Sequence, residues 1–417
     1  MKKLLLSAFS LIAITSYTQN VNIPDPIFKA ALIDHGTVIT GAGVSNIDID
    51  NDNEISVQEA QNYAGVILCN SLGISDLTGI EAFTSLTNLQ VGGNQLTTID
   101  VSQNTQLERL ACYTNQLTNL DISQNVNLVY LDCYYNDFTS LDLSSNLSLE
   151  YLKCYNNQLT SLDLSLNTAL LTLDCDNNNL TTLDVSQNTL LWLLQCRGNQ
   201  INSLNLGVNS NLIWVYAGGN NLATIDVTQL PILDILNIED NEFTNIDLTG
   251  NIDLTWLDCS QNNITNLDIS PLTILNRIDC GENDLSFLNA ANGNNINFQL
   301  FNALQNSNLN CIKVDDSNFS SANWTDIDSH TNFNENCPVL GIEENNVSLS
   351  IYPNPVNDIL NIETDNLIEK IEILDLSGKL IATEFYHQIN VAQLTSGIYF
   401  IKVVTSEGNS LQKFVKD

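Results

Sequence analysis

The sequence predicts a mostly β chain: a solenoid of parallel strands, a small β-sandwich after it, and a short helical cap before it. Three observations carry this. Asn94, Asn115, Asn136, Asn157, Asn178, Asn199, Asn220, Asn241, Asn262 and Asn283 recur every 21 residues without a slip. After Pro338 that spacing stops, and short alternating apolar runs take over. Ahead of Ala64 the chain offers only brief helical stretches and an acidic loop.

Length and charge bound the problem first. The chain has 417 residues, 48 acidic against 13 basic side chains and a net charge of −35. A binder of nucleic acid or bare phospholipid needs a basic face, so those partners are excluded. Charged residues are only 15 % and apolar residues 43 %, which is a globular composition and not a disordered acidic tail. Met1-Lys2-Lys3, the apolar run Leu4 to Ile14 and Thr15-Ser16-Tyr17-Thr18 read as an export signal over residues 1–18. That run is too short to span a bilayer, for which about 20 residues are needed, and no other stretch approaches it.

Residues 19–63 are read as the N-terminal cap. Asp48-Ile49-Asp50-Asn51-Asp52-Asn53-Glu54-Ile55-Ser56-Val57-Gln58-Glu59 matches an EF-hand loop, with acids at positions 1, 3, 5 and 12. Hard oxygens at alternate positions suit Ca²⁺, so Asp48, Asp50, Asp52, Glu54 (through its carbonyl), Ser56 and Glu59 are the candidate calcium ligands. Asn53 stands where a Gly is usual. An entering helix is expected at about Pro26 to Ile33 and an exiting one from Ser56 to Tyr63. The competing reading is a solvated acidic turn. Calcium here would be structural, fastening the cap to the first coil.

Residues 64–295 are the solenoid. The unit reads L-x-x-L-x-C-x-x-N-x-L-T-x-L-D-x-S-x-N-x-x, clearest from Leu107. In Leu110-Ala111-Cys112 strand alternation turns Leu and Cys inward; Leu120-Asp121-Ile122 repeats the pattern across the coil. Each turn should therefore offer two short strands, and only the stack buries a continuous core. The repeated Asn should point inward and satisfy backbone groups at the corner. These residues resemble the leucine-rich repeat family in its short 21-residue form, from Ala64 to Ala290, with a first turn spaced by 22. The resemblance implies a leucine-rich repeat solenoid whose usual work is binding.

Eight cysteines fall on the inward column and read as small buried hydrophobes, with thiolate metal capture as the alternative. Cys311 and Cys337 lie in the expected C-terminal cap, 296–338, and are expected to form a disulfide closing it. Asp100, Asp121, Asp142, Asp163, Asp184, Asp226, Asp247 and Asp268 form an outward ribbon, read either as Asp-x-Ser turns or as a cation-binding column. The opposite outward face varies from turn to turn: Arg109, Tyr113, Tyr130, Tyr134, Tyr151, Lys153, Tyr155, Arg197, Trp214, Tyr216, Trp256 and Arg277. Tyr, Trp and Arg dominate binding hot spots, though strands favour aromatics anyway.

A polar linker at 339–348 leads to residues 349–417. Tyr352-Pro353-Asn354-Pro355, Gly378-Lys379, Ser396-Gly397-Ile398-Tyr399 and the closing Lys413 to Lys416 resemble the type A C-terminal sorting domain of the type IX secretion system of the Bacteroidetes. That resemblance implies passage through the outer-membrane translocon and removal by a sortase. An appended adhesion sandwich is the alternative architecture. His35, His330 and His387 are far apart in sequence and no Ser/His/Asp set is present, so an enzyme is not expected. The expected function is an exported surface or secreted protein that recognises a protein or glycan; a structural or adhesive spacer stabilised by calcium is the second reading.

Overall fold

The computed structural model describes residues 19–337, 349–364, 366–374, 379–405 and 408–416. The expected export signal, the whole linker and the Ser377-Gly378 break lie outside them. Two compact units divide the chain, 1–335 and 336–417.

The first unit is built by stacking. Strands of mostly three residues pair in parallel into one sheet of thirteen, from Val66–Leu68 to Asp326–Ile327. Register partners are 21 residues apart through most of it, so Leu110, Leu131, Leu152, Leu173 and Leu194 lie directly over one another, and all are fully buried. A 21-residue period thus converts one inward Leu per turn into a continuous apolar column, which a single turn could not bury. One core runs from Ile23 to Phe333.

The inward asparagines do what an orphaned corner requires. Asn136 accepts from Leu117 N (3.0 Å) and donates to the carbonyls of Cys112 and Cys133 (both 3.1 Å). Its neighbours up and down the stack repeat this bonding. The residue before each of these asparagines has positive φ, for example Gly93, Thr114, Tyr135, Asn156, Asn177 and Gly198.

Two expectations need correcting. The second strand of each turn forms only in places: Thr182–Asp184 pairs with Ser203–Asn205, and four strands from Asn266–Asp268 to Asn332–Asn334 make another sheet. The Asp-x-Ser bond does not separate the two cases, for it is present in the unpaired turns (Ser123 N to Asp121, 3.0 Å) and in the paired ones (Ser186 N to Asp184, 2.9 Å) alike. What differs is the approach of neighbouring backbones: the Thr160 N to Thr139 O contact is stretched to 3.4 Å, against 3.0 Å for Asn202 N to Thr181 O. Stacking also continues past residue 295, where only a cap was expected. Leu300–Ala303 pairs with Arg277–Asp279 at a spacing of 23, and Asp326–Ile327 pairs at 24. Asn306 takes the corner position and accepts from Leu285 N. These longer turns escape a 21-residue ruler. The end is closed by Phe298, Phe301, Trp324 and Phe333, with Phe301 stacked on Trp324 at 4.0 Å.

At the start, α1 (Pro26–Ile33) and α2 (Val57–Asn62) form where expected. Asp25 caps α1 through Ile27 N and Phe28 N, and its other oxygen accepts from Ser75 N and Asp76 N of the first coil. Those four amides hold its carboxyl below the usual range although burial pushes it up. Ser56 and Glu59 close α2 with a reciprocal capping box. A third helix, α3 (Ser317–Asn323), sits between the last turns.

The second unit is two antiparallel sheets. Leu349–Tyr352, Ile359–Thr364 and Gln388–Asn390 form one; Leu380–Glu384, Ile368–Leu374, Gly397–Thr405 and Gly408–Lys416 form the other. Alternating inward residues, among them Leu360, Ile371, Ile401, Val403 and Phe414, make its core.

Candidate functional site

On the main sheet every outward side chain has a neighbour one strand spacing away, so columns of like residues stack. Tyr113, Tyr134 and Tyr155 form such a column: ring centroids are 4.7 and 4.3 Å apart and the planes lie within 7°. Tyr113 lies over bare Gly92, where an added Cβ would come within 2.3 Å of the ring. Both faces of Tyr134 and one face each of Tyr113 and Tyr155 are therefore taken up by stacking, and the column turns a row of ring edges outward. Burial first, then the neighbouring Tyr113, raises the Tyr134 hydroxyl above its ordinary value; burial and Tyr134 do the same for Tyr155. Both remain protonated donors at neutral pH.

A second column lies beside it. Tyr130 stacks on Tyr151 (5.3 Å), and the Arg109 guanidinium sits 3.9 Å over Tyr130. Arg109 also reaches Asp132 at 3.5 Å. Further along, Arg197 bridges Asp176 (2.8 Å) and the face of Tyr216 (5.0 Å). Trp214 donates to Asp234 and meets Trp192 edge-on. Lys153 adjoins Asp132 and Asp174 in register. Trp256 stands on a later strand, away from the tyrosines, and Arg277 beyond it bonds Gln299.

Sequence reasoning missed three parts of this face. Tyr135, exposed at 53 %, packs edge-on against Tyr134 and Tyr155 from a left-handed backbone (φ 51°). Trp192 precedes its strand and so falls outside the alternation that flagged Trp214. Asp174, Asp176, Asp258 and Asp279 extend outward Asp132 into an acidic series along the same sheet; its signal was available, since each flanks the inward Cys position. Burial, with Asp176 nearby, lifts Asp174 to about 6.

In the N-terminal loop, carboxylate oxygens of Asp48, Asp50 and Asp52 lie within 4.8 Å of one another. Asn51 and Asn53 take the positive φ that folds the loop around them. Partial desolvation, then Asp52 and more weakly Glu59 and Asp48, raises the Asp50 carboxyl. Glu54 points elsewhere and pairs with Lys29 at 2.6 Å. Glu59 accepts from Ile49 N, Ser56 N and the Ser56 hydroxyl.

The ribbon aspartates are each bonded to the residue two further on, as Asp142 is to Ser144 N and Asp226 to both Thr228 N and its hydroxyl. Those hydroxyl and amide bonds hold Asp121, Asp142 and Asp163 below the usual carboxylate range. Cys69, Cys112, Cys133, Cys154, Cys175, Cys196, Cys259 and Cys280 are free and buried. Burial pushes the Cys69 and Cys112 thiols up to about 12, far from thiolate chemistry. Cys311 and Cys337 are disulfide-bonded.

A family profile described as a secretion system C-terminal sorting domain matches residues 350–417. A search of curated proteins found no match. Among solved structures, the chain is similar to the functional domain of InlJ from Listeria monocytogenes, which includes a cysteine ladder: TM-score 0.63, 25 % identity, covering 96 % of this chain and 98 % of that one. An internalin, InlF from the same species, matches with TM-score 0.56 at 18 % identity, covering 78 % of this chain and 100 % of that one. The first unit is thus a leucine-rich repeat fold and the second a sorting domain, which directs export to the cell surface or the medium. Among the described residues no helix is long and apolar enough to cross a membrane.

Proposed function

We propose that this exported chain, a leucine-rich repeat solenoid followed by a secretion sorting domain, is a binding protein that holds a protein partner on its strand face. The observation that carries this is the stacked column Tyr113–Tyr134–Tyr155, flanked by Arg109, Tyr130 and Tyr151 on a rigid sheet. Rigid aromatics offer large contact area at small entropic cost. Glycans stack on open ring faces, and this column uses most of its faces in stacking on itself; edges and hydroxyls suit backbone and side chains of a protein. Likeness to an internalin domain at 25 % identity supports the same reading.

The test is paired protein and glycan arrays with full-length chain and the Tyr134→Ala/Tyr155→Ala variant. Protein signals that the variant loses while keeping its circular dichroism are expected. Glycan signals alone, or protein signals the variant retains, overturn the proposal; empty arrays favour a spacer.

We also propose that the loop at 48–59 binds Ca²⁺. Three converging carboxylates are a donor set of the right hardness. Asp48, Asp50 and Asp52 would hold the ion, with the Glu54 carbonyl; Ser56 and Glu59 would join by releasing their capping bonds. Bound there, the ion supplies charge neutralisation and stiffens the segment between α1 and α2.

A further inference from the structure

Along the strand face, most partly buried carboxylates have a compensating neighbour. Asp132 has Arg109, Asp176 has Arg197, and both oxygens of Asp279 accept from Asn302 Nδ2 at 3.0 Å. Glu239 and Asp258, on adjacent turns, differ. Asp258 Oδ1 accepts from Ser260 N (3.2 Å) and its hydroxyl (2.7 Å), while Oδ2 has only a 3.4 Å contact with Asn237 Nδ2. Among the described residues, none of the ion pairs involves Glu239 or Asp258.

Asn237 is the independent observation. It is 6 % exposed, it lies in register beside Asp258, and its Oδ1 has no hydrogen-bond partner. Its direction is visible at Gly218: a Cβ there would fall 2.6 Å from Asn237 Oδ1 and 3.1 Å from Glu239 Oε1. Both oxygens thus face one small space that the missing side chain leaves open. The buried amide oxygen and the Glu239 carboxylate share that space, Asp258 lies in register beside Asn237, and among the described residues no cationic side chain pairs with either carboxylate.

We propose that Asn237, Glu239 and Asp258 form a cation site on the strand face, open above Gly218, that takes calcium. One neutral and two charged hard oxygens suit Ca²⁺, with water filling the rest of its shell. A bound ion satisfies the orphaned amide oxygen and lets both carboxylates ionise side by side. The site is separate from the 48–59 loop and from the tyrosine column, and stands whether or not either of them binds.

Calorimetric titration of Ca²⁺ into the full chain tests this, with the loop disabled by Asp48→Asn/Asp50→Asn. One remaining site is expected, in the range of about 10⁻⁴ to 10⁻³ M typical of extracellular modules. Glu239→Gln/Asp258→Asn should abolish it. Gly218→Ala, which keeps all three ligand residues and has no left-handed backbone to strain, should weaken it at least about tenfold by filling the space and crowding Asn237 Oδ1 and Glu239. Uptake unchanged by both variants, or no uptake by the loop-disabled parent at about 10⁻² M, overturns the site.

Discussion

His35 shows how one buried polar side chain ties two elements. Its Nδ1 donates to Ala31 O on α1 and its Nε2 accepts from Leu68 N at 2.9 Å on the first strand. Burial lowers its pKa below the ordinary value, so the folded state keeps it neutral while the unfolded chain takes up a proton near pH 6.5. Stability from this residue is therefore present above that pH and is lost as pH falls through and below it. Melting followed from pH 7 to 5 should drop more steeply in the wild type than in His35→Gln, whose amide cannot protonate. Tyr135 makes the opposite point, that a residue can be placed against its own backbone preference. A bulky side chain at φ 51° carries strain of about 1–2 kcal/mol that Gly avoids, partly offset by the greater backbone entropy Gly loses. Tyr135→Gly should leave urea stability unchanged or raised by up to about 1 kcal/mol; a loss above about 2 kcal/mol would mean that its contacts with Tyr134 and Tyr155 outweigh the strain. The His and Tyr were visible in the sequence, but their roles were not, because each depends on a contact 20 or more residues away or on a backbone angle.

At the scale of the element, the cysteine column is a test of packing. Val91, Ala217 and Ile238 occupy the same inward position in other turns and are fully buried there, so the site accepts several volumes but no polarity. Cys154→Val should cost less than about 1.5 kcal/mol, while Cys154→Ser, near in size, buries a hydroxyl and should cost about 1–3 kcal/mol. Chemical denaturation under reducing conditions measures both. The inward asparagines were legible as corner fillers because their spacing admits little else. A second column, Asn104, Asn125, Asn146, Asn188, Asn209 and Asn251, stood in the repeat unit without an assigned role. Its members are fully buried and donate across turns, as Asn125 Nδ2 does to Val101 O and Asn104 O. The expectation of a second continuous strand set failed because paired and unpaired turns share the same Asp-x-Ser bonds and differ only in how closely neighbouring backbones approach, which the repeat does not encode.

The molecule as a whole is a sum of turns, each contacting only its neighbours. Removing residues 157–177, one full period, returns every Leu, Cys and Asn to its column. That variant should fold with native-like circular dichroism and a modestly lower Tm, whereas removing 157–176 puts the downstream columns one residue out of step and should disrupt folding. The export address is separable in the same sense: cells expressing residues 1–349 should retain the protein inside the outer membrane, detectable by fractionation. What the sequence by itself determined was the stack and the address, because a strict period and a set of short local motifs need no knowledge of distant contacts. The two helices of the cap were legible for the same reason, each carrying its own start signal in Asp25 or Ser56. What only the tertiary structure decided was how the faces are used: that tyrosines spend their rings on one another, that Arg197 joins Asp176 to Tyr216, and that Asn237 is left with an unanswered oxygen. Those are properties of side chains brought to one strand spacing by the coil, where burial and neighbouring charge, and not residue type, set what each group can do.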